Sequence, residues 1–189
     1  MEDLLIEIRK CDTCTSHLSQ GPRPILAAHP SSKIVVIGQA PGAKVHASGI
    51  PWDDKSGQNL REWMGIEQDT FYDPKKIAIV PMGFCYPGKG KSGDLPPRPE
   101  CAPQWHGVLL NELKNVRLTL LIGQYAQKYY LGQKQKNNLT ETVKQFEEYL
   151  PDYFVLPHPS PRNNIWRAKN PWFDKSVLPK LKQVVKQLL

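Results

Sequence analysis

Three groups of side chains in this 189-residue sequence are of types that do chemistry. The first is a set of four cysteines: Cys11 and Cys14 in a CxxC pair, then, after a long gap, Cys85 and Cys101 bounding the loop CYPGKGKSGDLPPRPEC. Four thiolates suit either a structural zinc or an iron–sulfur cluster, and spacing alone does not choose between them. A thioredoxin-type dithiol follows a strand at the start of a helix, whereas this CxxC ends a short amphipathic helix.

The second group is an acid pair, Asp53 and Asp54, in SGIPWDDKSG directly after Trp52. Adjacent carboxylates before SGQNLREWM can cap the helix that follows, because negative charge is stabilised at a helix N-terminus. Capping does not exclude catalysis: an aromatic residue beside an acid in a loop can stack a flat ring while the acid orients water. The third is His158, which leads the proline-stiffened loop HPSPRN. Histidine can donate to a developing negative charge near neutral pH, and rigid flanks lower the entropy lost in holding it. Taken alone, a histidine has a structural reading as well.

GQAPG, Gly38, Gln39, Ala40, Pro41 and Gly42, follows the apolar run IVVI and brings bare backbone to the end of a strand. It is no phosphate cradle of the familiar kinds. GxxxxGK[ST] and GxGxxG are both absent, and Pro41 removes one N–H. Between Tyr153 and Phe173 there is no acidic residue, while Arg162, Arg167 and Lys169 interleave with Trp166 and Trp172. Cations mixed with planar rings are what a surface gripping phosphates and stacking bases needs, with Trp166 expected as the exposed indole.

The elements that must position these residues are legible as alternation. Four apolar runs, KIVVIG (33 to 38), KIAIVPM (76 to 82), RLTLLIG (117 to 123) and YFVLP (153 to 157), read as strands covered on both faces. Helices are expected over 2 to 9, 56 to 64, 101 to 114, 124 to 131, 139 to 149 and 173 to 188, with Pro179 kinking the last or marking its start. The pattern predicts an α/β fold, a three-layer α/β/α sandwich around a central, mostly parallel four-stranded sheet, as one domain over residues 1 to 189. Glycine and proline gather after strand ends, at 38 to 51, 81 to 103 and 157 to 161, where open α/β sheets bind ligands.

Lysine and arginine number 25 against 18 acids, a net charge of +7 that favours polyanionic partners. The opening MEDLLIEIRK lacks the basic start and continuous apolar stretch of a secretory signal, and no later run has membrane-spanning length. A cytoplasmic protein with no membrane partner is expected, and in a reducing compartment four cysteines argue for metal or burial over disulfides.

Together, GQAPG after the first strand, GIPW, HPSPRN after the fourth and the four-cysteine arrangement resemble the uracil-DNA glycosylase superfamily over nearly the full chain. The cysteines are similar to those of its iron–sulfur branches, whereas GIPW and HPSPRN look like its single-strand-selective branch. The resemblance implies a monomeric DNA-repair enzyme that hydrolyses the N-glycosidic bond of a flipped, deaminated base, single- or double-stranded DNA being its partner. It also implies a [4Fe-4S] cluster on Cys11, Cys14, Cys85 and Cys101, with zinc as the alternative. Residues 38 to 42 would line the base pocket and Trp52 would stack on the base. His158 would donate to the departing base, Asp54, with Asp53 as understudy, would hold the attacking water, and Ser160, Pro161, Arg162 and Asn163 would pinch the DNA backbone. Lys89, Lys91 and Arg98 of the loop pinned by the metal would offer a phosphate-binding edge.

Two positions depart from the pattern. Pro81 stands where the iron–sulfur branches carry an asparagine that reads the base edge, and AKVHAS follows GQAPG without the acid often found there. The lesion is therefore left open, and a nucleic-acid-binding relative that has lost the chemistry is the alternative reading.

Overall fold

The four continuous apolar runs become four strands because each must be covered on both faces. In the computed structural model, which describes residues 1–189, they are β1 (Ile34–Ile37), β2 (Ile77–Ile79), β5 (Leu118–Ile122) and β6 (Tyr153–Leu156). A two-stranded hairpin, β3 (Lys89–Gly90) and β4 (Gly93–Asp94), lies between β2 and β5 in sequence. The main sheet is entirely parallel in the order β2-β1-β5-β6, with Ile34 opposite both Ile77 and Leu118, and Leu121 opposite Val155. The exposed edge of β2 is closed by Ala27, which exchanges both backbone hydrogen bonds with Ile79 in antiparallel fashion. An unpaired edge would otherwise template association.

Helices α1 (Glu2–Arg9), α2 (Ala43–Ser48), α3 (Lys55–Met64), α4 (Gln68–Tyr72), α5 (Cys101–Asn111), α6 (Gly123–Leu131), α7 (Leu139–Lys144), α8 (Asn164–Lys169) and α9 (Leu178–Leu188) flank the sheet. The expected three-layer α/β/α arrangement is thus present. α3 shows how sequence sets an element: Asp54 caps its start, Leu60, Trp63 and Met64 bury one face, and Gly65 ends it in the left-handed conformation. That face packs on the last helix and the turn before it, with Trp63 edge-on to Phe173 at 5.0 Å. Pro179 lies in the first turn of α9 and marks its start, preceded by a single π-helical turn over Phe173–Val177.

Several boundaries differ from expectation. The segment 139 to 149 divides into α7 and a 3-10 turn at Phe146–Tyr149, and α5 ends at Asn111. The short helices α2, α4 and α8 and the hairpin are too brief for apolar periodicity to register. No helix is long and apolar enough to cross a membrane.

The chain passes from β1 to β2 on one side of the sheet, then crosses to β5 on the other side of β1. That reversal opens a crevice beyond the carboxyl ends of the strands. The segments that follow β1, β2 and β6 converge there.

Candidate active site

A small cleft occupies this crevice, at the position where open α/β sheets bind ligands. Residues 38 to 42 form one wall, Trp52 and Asp54 a second, His158 a third, and the apolar Ile25, Val45, Ile79 and Pro81 complete it. Three segments far apart in sequence are therefore gathered around one space.

Trp52 is held in an unusual way. It is the one non-glycine residue with positive φ, +59°, a conformation costing roughly 1–2 kcal/mol for a residue with a Cβ. Two glycines make room for it. A Cβ on Gly38 would stand 2.6 Å from its indole ring, and one on Gly57 would overlap its carbonyl oxygen. Its ring meets the imidazole of His158 at 5.6 Å between centroids, tilted by 30°. Backbone strain concentrated on an aromatic side chain in a cleft is characteristic of a ligand clamp.

The two adjacent acids separate. Asp54 lines the cleft, and its Oδ1 accepts from the Gly57 N–H at 2.8 Å. Asp53 is exposed and faces a shallow polar depression with Lys44 and Arg61. Only Asp54 faces the cleft beside His158, so helix capping and a place in the site coincide in one residue.

His158 is partly buried, and burial lowers its pKa below the usual imidazole range, against a smaller upward pull from the Asp54 carboxylate. Its loop is braced on two sides: Asn59 of α3 donates to the Pro159 carbonyl at 2.8 Å, and Asn163 donates to the His158 carbonyl at 2.7 Å. Ser160 caps the 3-10 turn Pro161–Asn163 by accepting from Arg162 N–H. Arg162 reaches across the mouth of the cleft and donates to the Ser92 carbonyl at the hairpin tip, 3.3 Å away.

Behind the wall at Pro81 lies a buried polar chain. His106 Nε2 lies 3.0 Å from the Pro81 carbonyl, and Nδ1 lies 2.6 Å from the Tyr130 hydroxyl. A carbonyl only accepts, so Nε2 carries the proton and Nδ1 accepts from Tyr130. Burial pushes the His106 pKa down to about 4, so the ring is neutral at physiological pH.

The four cysteines line a second cavity next to this wall, with Leu18, Phe84 and Trp105 as apolar sides, and none is in a disulfide. They gather round the space without any three closing to the spacing of a single-ion site. Hydrogen-bond donors surround the sulfurs: the Phe84 N–H lies 3.3 Å from Cys101 Sγ, the Arg23 backbone faces Cys85 and the Arg98 side chain faces Cys14. The indole nitrogen of Trp105 is also buried with no partner. A buried donor without an acceptor beside four thiol sulfurs suits an occupant that accepts hydrogen bonds, and these cysteines could hold a thiolate-bound metal centre. Without metal, burial raises the thiol pKa values to about 11 at Cys85 and about 12 at Cys101.

Two surface expectations are corrected. Trp166 is not the exposed indole. Its N–H donates to Thr140 at 2.8 Å and its ring packs on Trp172 and Phe173, while the neighbouring Ile165 is 71% exposed. Arg98 is not free for phosphate, because it is paired with Glu100 beside Cys14. Lys89 and Lys91 remain exposed on the hairpin. Sequence reasoning also missed Asn59, His106 and Tyr130, whose roles depend on partners distant in the chain and leave no local signal.

The family model for the uracil DNA glycosylase superfamily matches residues 27–182 of the chain, a span that contains β1 through β6, the cleft and two of the four cysteines.

Proposed function

The chain belongs to the uracil-DNA glycosylase superfamily, whose members cleave N-glycosidic bonds in DNA repair, and from that premise we propose a monofunctional glycosylase acting on a deaminated base flipped out of DNA. The observation that carries this reading is the convergence of Asp54, His158 and Trp52 on one cleft at the sheet's switch point.

An extruded base enters beside Trp52 and the 38–42 turn. The bond between C1′ and the base nitrogen breaks with its electron pair going to the base, leaving a cation-like sugar. His158 donates a ring N–H to the base oxygen on which negative charge collects. Asp54 uses one oxygen to cap α3 and has the other for a water molecule. That water adds to C1′, its proton passes to the carboxylate and then to solvent, and the products are an abasic sugar and the free base. Exposed Ile165, just past the HPSPRN loop, is an apolar side chain of the kind that fills the gap left in a base stack.

Cys11, Cys14, Cys85 and Cys101 would hold a [4Fe-4S] cluster, contributing iron–thiolate ligation that fixes the 85–101 loop and no step of base removal. Zinc is the alternative occupant, and metal analysis of protein prepared without air separates the two. Zinc without iron would overturn the cluster.

The function is tested with oligonucleotides, single-stranded and duplex, carrying each deaminated or oxidised base in turn. Release of at least one base, lost by about 100-fold or more in His158→Ala, is expected. Tight DNA binding with no base released would instead support a binding protein that has kept the fold and lost the chemistry, a reading motivated by Pro81.

A further inference from the structure

The hairpin between the two later cysteines delivers a carboxylate to the glycine-rich turn. Asp94, the last residue of β4, has Oδ1 at 3.3 Å from the Tyr86 hydroxyl, while Oδ2 lies over Gly42, 3.3 Å from where a Cβ there would stand. Tyr86 is buried and its ring lies against His46 of α2, 5.8 Å between centroids, so this anchor is fixed to the wall of the cleft. On the other side, Arg162 holds the hairpin tip through Ser92. Asp94, Asp54, His158 and Arg162 all line one groove at the mouth of the cleft. The segment AKVHAS after GQAPG offers this groove no acid, and the hairpin returns to the same turn carrying one.

Resting on the glycosylase reading, we propose that Asp94 is a second carboxylate of the reaction, facing the sugar from the groove opposite the base and stabilising the positive charge that builds at C1′. It takes no proton and forms no bond. Its tyrosine partner occupies one oxygen and orients the other, which has no partner within the protein. A fixed negative charge near a developing cation lowers the barrier to forming it, and the same charge near phosphates opposes binding of neutral or undamaged DNA. Those two effects have opposite signs, which makes the role separable from structural support.

Asp94→Asn removes the charge and keeps an oxygen that accepts from Tyr86. The metal-loaded protein and this variant are compared for binding to oligonucleotides containing either a pyrrolidine abasic analogue, which is cationic, or a tetrahydrofuran analogue, which is neutral. The native protein is expected to prefer the cationic analogue by about tenfold or more, and D94N to lose about tenfold of that preference while binding the neutral analogue equally or more tightly. The single-turnover rate of base release should fall about 10- to 100-fold. Should D94N keep the native preference within twofold, or lose affinity for both analogues alike, the proposal is overturned whatever the activity. A native protein that prefers the cation and loses the preference in D94N, yet releases no base, supports Asp94 and defeats the glycosylase reading instead. Asp94→Ser gives the same comparison if the asparagine form does not fold.

Discussion

The side-chain amide of Asn59 donates to the backbone carbonyl of Pro159 at 2.8 Å, joining the helix capped by Asp54 to the loop led by His158. One bond thus ties together two elements separated by 100 positions in the chain and sets the spacing of the two candidate catalytic groups. Asn59→Ala removes the donor and leaves the carbonyl without it, at a cost of about 1–2 kcal/mol. The expected kinetic result is a fall in single-turnover rate of about tenfold with DNA affinity nearly unchanged, since mispositioning affects chemistry before binding. Equal losses in rate and affinity would show that the contact only supports the fold.

The two acids are distinguished by their places. Asp54→Asn keeps an oxygen to cap α3 and removes the charge, so thermal stability should stay close to native while base release drops about 100-fold. Asp54→Ala loses the cap as well, adding about 1 kcal/mol of destabilisation. Asp53→Asn, altering an exposed side chain outside the cleft, should leave the rate within about twofold. Parallel melting curves and single-turnover assays of the three proteins check the assignment.

Because burial holds the pKa of His158 below its usual value, the neutral ring predominates at and above pH 6.5 and the proposed donor is an uncharged imidazole. The rate of base release is accordingly expected not to fall as pH rises through neutrality, and to be level from about pH 7.5 to 8.5. A tenfold decline per pH unit across that interval would mean that the imidazolium is the active form.

His106 makes the protein sensitive to acid through the unfolded state. Its pKa is about 4 when folded and near 6.5 when unfolded, so below pH 6.5 the unfolded chain binds a proton that the folded chain refuses. Its effect is therefore absent above pH 6.5, grows as pH falls, and levels off near pH 4 at a loss of about 3 kcal/mol. His106→Gln should flatten the fall in denaturation midpoint between pH 6.5 and 4.5. His158, whose pKa is also lowered, leaves a residual slope in that variant.

The parallel sheet was legible because a strand covered on both faces must be apolar throughout, and IVVI, IAI, LTLLI and YFVL state this in composition. The cleft was legible in part, since the segments ending strands in an open α/β sheet have to meet. What the sequence could not carry was pairing between distant groups. Nothing near Asn59 names Pro159, and nothing in KSGD shows that a two-residue turn will carry Asp94 back to Gly42. The acid-free stretch misled at Trp166 for a related reason. Its composition suits an open basic surface, yet Thr140 supplies a partner for the indole N–H and two other rings pack against it.

The wall at Pro81 bears on what the proposed enzyme distinguishes. Proline has no N–H to offer, and its carbonyl is directed to His106, so this side of the cleft neither asks for nor refuses a hydrogen bond from the base. Such a surface recognises outline alone. For the proposed repair enzyme the consequence would be breadth: lesions of one shape would be admitted together, and intact bases would be kept out mainly by the cost of leaving a well-paired stack.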